Sequence, residues 1–144
     1  MSAPLRVLLK DKGNIIHSIT SQSSVYDCVL KLNQLGIGAL LVIDNDKLEG
    51  IISERDIIRK ILGQRINPEK ITVKEIMTKN LVTVPPTMTV QEAMRIVTEK
   101  RFRHLPVVEK DALLGMISIG DLTRWVMLEQ EGEISALTGY IQGT

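Results

Sequence analysis

The chain has 144 residues, 44% hydrophobic and 24% charged, and its 18 basic and 17 acidic side chains leave a net charge of +1. That apolar fraction supports a real core and excludes intrinsic disorder, which needs low hydrophobicity and high net charge. The charge balance and the scarcity of aromatics (Tyr26, Phe102, Trp125 and Tyr140) exclude a broad nucleic-acid binder, which shows a basic patch or stacking platforms.

The single cysteine, Cys28, permits no internal disulfide, and its place on an apolar helix stripe makes it a core residue. His17 and His104 stand in no metal-ligand spacing, so no metal site is expected. The longest apolar run, Ala39 to Ile43, falls far short of the ~20 residues that span a bilayer. Residues Met1 to Ile19 carry charges through their middle and no apolar leader segment. The expectation is a soluble, cytoplasmic protein with neither membrane nor nucleic acid as partner.

In chain order, an extension (1–14) precedes a short apolar segment, Ile15 to Ile19. A polar break at Thr20 to Ser24 comes next. Val25, Cys28, Val29 and Leu32 then recur at the spacing of a one-sided helix. Ser24 and Asp27 form a capping-box pattern at its start. Ala39 to Ile43 reads as a buried strand, Asp44 to Lys47 as a tight turn and Leu48 to Ile52 as a second strand. A helix from Glu54 to Leu62 closes the unit, with Gly63 as its stop. Asn67-Pro68 begins a linker (66–79) that includes a helical turn at Val73 to Met77.

The same grammar then repeats. Shifted by 65 positions, residues 16–59 match 81–124 at 10 of 44 positions without a gap, among them Gly50/Gly115, Ser53/Ser118, Asp56/Asp121 and Arg59/Arg124. The second copy predicts a strand at Leu81 to Val84 and a helix on Val90, Ala93, Met94 and Val97, capped by Thr89 with Glu92. Strands at Leu105 to Val108 and Leu113 to Ile117 come after it, then a helix from Gly120 toward Tyr140. The chain therefore divides into repeats at 15–65 and 80–128, with a C-terminal helical extension at 129–144. Each repeat is β-α-β-β-α, an α/β (α+β) unit too small to bury its sheet well alone. Two units packed sheet to sheet, with pseudo-two-fold symmetry and two equivalent clefts, are expected.

Each repeat ends in Gly-apolar-x-Ser-x-x-Asp: Gly50-Ile51-Ile52-Ser53-Glu54-Arg55-Asp56 and Gly115-Met116-Ile117-Ser118-Ile119-Gly120-Asp121. Taken alone, Ser-x-x-Asp before an apolar run is a helix N-cap. Two copies at identical spacing, together with Arg103-His104-Leu105-Pro106-Val107-Val108, resemble the CBS domain. The chain looks like a stand-alone CBS pair, or Bateman module, of the small bacterial signalling type.

The resemblance implies regulation rather than catalysis. It implies an adenine-nucleotide ligand: AMP or NAD(H) first, then ADP or ATP, with S-adenosylmethionine last. In the first repeat it points to Ser18, Ile19, Thr20, Ile37, Gly38, Ala39, Ser53, Arg55 and Asp56. In the second it points to Thr83, Val84, Arg103, His104, Leu105, Pro106, Ser118 and Asp121. Each Asp would take the ribose hydroxyls, and each Ser, with the first N–H groups of its helix, would hold phosphate. Arg103 and His104 would add phosphate contacts where the first repeat has Gly38 and Ala39. A homodimer and a separate protein effector are the implied partners, and plant relatives suggest a redox partner such as a thioredoxin. The alternative is a constitutive interaction or dimerisation module with vestigial clefts. No catalytic residue is expected: Walker, Rossmann and Gly-x-Ser-x-Gly strings are absent.

Overall fold

The computed structural model describes residues 2–13 and 15–142, with side chains through 132. The chain forms two compact units. The first is Ile15–Val82. The second joins Met1–Asn14 to Thr83–Thr144. The stretch read from sequence as an extension is thus built into the second unit.

In the first unit, β1 (Ser18–Ile19) pairs parallel with β2 (Ala39–Asp44), and β2 pairs antiparallel with β3 (Lys47–Ser53). Asn45 and Asp46 make the β2–β3 turn with positive φ of 49° and 63°, the twist that a two-residue hairpin needs. Helix α2 (Val25–Leu35) lays Val25, Cys28 and Leu32 on this sheet, where they join Leu40, Val42 and Ile52 in the core. Burial pushes the Cys28 thiol up to about 11, with the Asp56 charge adding to the effect. Short α3 (Glu54–Ile57) runs on into a π-type turn, Ile58–Leu62. Gly63 does not stop this helix through a left-handed conformation; its φ is −63°. Its N–H bonds the Ile58 carbonyl at 2.8 Å. A Cβ there would sit 3.0 Å from the Arg59 carbonyl oxygen of the preceding turn, a tight approach. Helix α4 (Val73–Ile76) completes the unit through Val73 and Ile76, both in the same core.

In the second unit, β4 (His104–Glu109) pairs antiparallel with β5 (Ala112–Ser118), and the bulge falls at the same place as in the first unit. Helix α5 (Val90–Lys100) buries Val90, Ala93 and Val97. Helix α6 runs Ile119–Gln142; the last two residues of the expected extension lie outside the described residues. The strand expected at Leu81 to Val84 shrinks to a single parallel bridge, Val84 with Val107. The cause is local. In the first unit the Leu41 N–H donates to His17 at 3.2 Å. Its counterpart is Pro106, which has no N–H to give. The strand expected at Ile15 to Ile19 likewise holds its ladder only at Ser18–Ile19.

Helices α1 (Leu5–Lys12) and α4 occupy matching places. Thr72, the N-cap of α4, bridges Ser24; Pro4, the N-cap of α1, bridges Thr89, the repeat counterpart of Ser24. Met77 lies against Gly50 as Leu9 lies against Gly115. Leu5, Leu8 and Leu9 therefore stand where Val73, Ile76 and Met77 stand, and all six are buried. The helix that precedes each repeat in sequence completes the unit formed by the other repeat.

Candidate functional site

The two Ser-x-x-Asp motifs share one backbone plan. Each begins where the second strand of its hairpin ends and a helix starts. Asp56 Oδ2 accepts from the Ser53 N–H at 3.0 Å, and the Ser53 Oγ accepts from the Asp56 N–H at 3.2 Å. In the second unit the same bonds measure 2.8 and 3.1 Å between Ser118 and Asp121. Both are complete capping boxes, so the cap reading of the motif holds at both. At Ser24 and Thr89 only the forward bond, from the Asp27 and Glu92 N–H, is formed among the described residues.

The free capacity of the two carboxylates differs. Asp56 also accepts from the Ser53 hydroxyl at 3.1 Å, and its Oδ1 faces Lys60 at 3.2 Å and the Thr78 hydroxyl at 3.4 Å. Both its oxygens are engaged from within the first unit. Asp121 uses Oδ2 alone, for Ser118 and for Lys12 Nζ at 2.8 Å; Oδ1 has no hydrogen-bond partner among the described residues. Burial works to raise the Asp121 pKa, but the bonds from Lys12 and Ser118 outweigh it and hold the carboxyl below its usual range.

Sequence reasoning missed the lysines. Lys60 sits one helical turn after Asp56, an i,i+4 pair open to reading. Its counterpart is Trp125, whose indole N–H bonds Glu129 instead. Lys12 is 109 residues from Asp121, and no local signal marks it. Each lysine also bonds a backbone carbonyl at 2.8 Å, Lys60 at Ile76 and Lys12 at Met116.

The other expected residues divide by unit and by exposure. His104 lies directly across the hairpin from Ser118, and the Arg103 carbonyl accepts from the Ile119 N–H at 2.8 Å. Arg103, His104, Ser118 and Asp121 are thus brought together at one end of the β4–β5 hairpin, with Arg103 exposed. Thr83 is exposed, while Val84, Leu105 and Pro106 are buried. In the first unit Ala39 lies across from Ser53 and is buried. Gly38 bonds Glu54 as Arg103 bonds Ile119, and the Glu54 carboxylate folds over it, 2.9 Å from where a Cβ would lie. Ser18 accepts from Lys31 through its carbonyl, the Thr20 and Ser23 hydroxyls share a 2.8 Å bond, and Ile19 and Ile37 pack against the core. Arg55 is exposed, and its carbonyl accepts from the Ile58 N–H. No cluster of His, Cys, Asp or Glu among the described residues is arranged to hold a metal ion, and none of their helices is long and apolar enough to cross a membrane.

Residues 13–63 and 73–128 match the CBS domain family. The chain belongs to the CBS-domain family. It is a CBS pair, and such proteins are generally regulatory and non-catalytic. The chain is 41% identical to the mitochondrial CBS domain-containing protein CBSX3 of Arabidopsis thaliana, over 99% of this chain and 73% of that one. A putative signal-transduction protein with CBS domains from Burkholderia ambifaria has a similar structure, with 40% identity and a TM-score of 0.85 over 89% of this chain and 96% of that one. A hexameric CBS-CP12 protein from bloom-forming cyanobacteria is 28% identical, with a TM-score of 0.76 over 85% of this chain and 67% of that one. As a CBS pair, the chain carries its two signature motifs in the same backbone setting, with different chemistry around each.

Proposed function

We propose that this CBS pair is a regulatory sensor of an adenine nucleotide, and that its second unit holds the principal site. One observation carries the choice of unit. Asp121 keeps an open carboxylate oxygen beside Arg103 and His104, whereas both oxygens of Asp56 are engaged and Glu54 brings a second acid to that motif. A ribose hydroxyl donates to the open Oδ1. Phosphate is attracted by the Arg103 guanidinium and by the first N–H groups of α6. The ligand order stays AMP or NAD(H), then ADP or ATP, then S-adenosylmethionine. The ligand acts by favouring one arrangement of the module over another, and so changes its affinity for a partner: a second copy or a separate effector. The hexameric cyanobacterial relative supports self-association as one output.

The test is thermal unfolding with AMP, ADP, ATP, NAD⁺, NADH and S-adenosylmethionine in turn. A ligand at 100 times its Kd adds about 2.7 kcal/mol, a rise of several degrees. The rise is expected to vanish in Asp121→Asn and to persist in Asp56→Asn. The absence of a shift with all six, from folded protein, would leave the two boxes as helix caps and overturn the sensor reading. Loss in Asp56→Asn alone would move the site to the first unit.

A further inference from the structure

In the second unit the lysine that engages the motif carboxylate comes from a separate segment of chain. The first unit supplies Lys60 from the turn just after its own motif. At the matching position the second repeat has Trp125, and the role passes to Lys12, the last residue of α1. Lys12 Nζ donates to Asp121 Oδ2 and to the Met116 carbonyl, both at 2.8 Å. These two bonds tie down the end of α1, and Gly13 turns the chain away at φ 101°. The start of α1 is tied independently. The Leu5 and Arg6 N–H groups donate to Met88 and Pro86, the Val90 N–H donates to Ala3, and Leu5, Leu8 and Leu9 are buried.

Asp121 Oδ2 already accepts two bonds, one from the Ser118 N–H that caps α6 and one from Lys12. A carboxylate oxygen has two lone pairs. A vicinal diol that gives one hydrogen bond to each carboxylate oxygen therefore needs one of these donors to leave Oδ2. The Ser118 N–H is fixed by the strand-to-helix turn. The Lys12 ammonium is on a flexible, 37%-exposed side chain and regains water when it leaves.

We propose that Lys12 and Asp121 form a latch: the ammonium holds the oxygen that a ribose diol takes, so ligand binding at the second unit frees the last turn of α1. This rests on the nucleotide reading of Asp121. Exposed ion pairs are weak, so ligand binding is able to break this one, and its loss is expected to tighten binding about two- to fivefold. The coupling is reciprocal: a partner that grips the freed end of α1 raises ligand affinity by the factor by which ligand raises the partner's.

Hydrogen exchange of the α1 amides in the full chain tests the latch without ligand. Lys12→Met and Asp121→Asn should each speed exchange in the last turn, and the double variant should add nothing. AMP, ADP, ATP, NAD⁺, NADH and S-adenosylmethionine are then the probes, with affinity read by calorimetry. Whichever binds should speed last-turn exchange in the wild type, and Lys12→Met should bind it two- to fivefold more tightly. Additive effects of the two substitutions overturn the latch. So does equal or weaker binding by Lys12→Met, or unchanged exchange in the bound wild type; in these outcomes the nucleotide reading stands. Binding of none of the six by either form overturns both.

Discussion

Asp56 and Asp121 occupy the same backbone position in two copies of one fold, yet one is closed off and the other is partly open. Asp56 is held by Ser53, Lys60 and Thr78, all from the unit around it. Asp121 is held by Ser118 and by a lysine from the far end of the sequence. The difference shows how a duplicated motif diverges while its backbone is preserved. The capping box fixes the strand-to-helix turn, and the third and fourth partners of the carboxylate decide what else it can bind. The same contrast runs through the covering helices. Helix α4 stops at Ile76 and hands over to Thr78, which bridges Ile51. Helix α1 continues to Lys12, and a side chain covers what backbone covers in the first unit.

Glycine substitution sharpens that contrast most. A Cβ on Gly50 would lie 2.7 Å from the Thr78 carbonyl oxygen, and one on Gly115 would lie 2.8 Å from Leu9 Cδ2. Backbone cannot yield and a leucine methyl can. Gly50→Ala is expected to cost about 1–3 kcal/mol in urea unfolding, and Gly115→Ala about 1 kcal/mol or less. Equal costs would mean that α1 is as rigidly placed as the Thr78 bridge.

A smaller effect is expected at the end of α5. Gly36 ends α2 in the left-handed conformation at φ 66°, and its counterpart Arg101 ends α5 at φ 58°. A side chain there is strained, so Arg101→Gly should stabilise the protein by up to about 1 kcal/mol. A loss of stability in thermal unfolding would show that the arginine side chain more than offsets its strain.

The smallest effect concerns acid. The folded-state pKa of Asp121 lies below its ordinary value. Its contribution to stability is therefore complete above the ordinary carboxylate range and is lost as pH falls through the lower folded value. Lys12→Met removes a donor and should raise the Asp121 titration point. Carboxyl-carbon NMR reads this directly, and an unmoved titration would remove Lys12 as a determinant of this carboxylate.

The hairpins, helices α2 and α5 and the Ser-x-x-Asp caps were legible in sequence because each is a local pattern, and the repeat because it recurs at one fixed shift. The features that were not legible depend on contacts distant in sequence. Leu5, Leu8 and Leu9 carry the same spacing as Val73, Ile76 and Met77. The match stayed hidden because it needs a shift of 68 positions rather than 65 and includes no identity. Pro106 was visible, but its effect on the edge strand emerges only once Leu41 is seen to donate to His17. Lys12 and Asp121 meet only because α1 is built into the second unit.

That exchange of covering helices also sets an order of events during synthesis. The first unit draws on one continuous stretch, Ile15–Val82, and is able to close while the ribosome is still making the second repeat. Helix α1 leaves the ribosome earlier; residues 86–90 receive its start, but the Gly115 surface against which Leu9 lies waits for β5. Leu9 has no Gly115 to lie against for the whole of that interval. The part of the second unit made first is thus completed late, and its docking joins residues 104 and 109 positions apart, the slow kind of contact in folding.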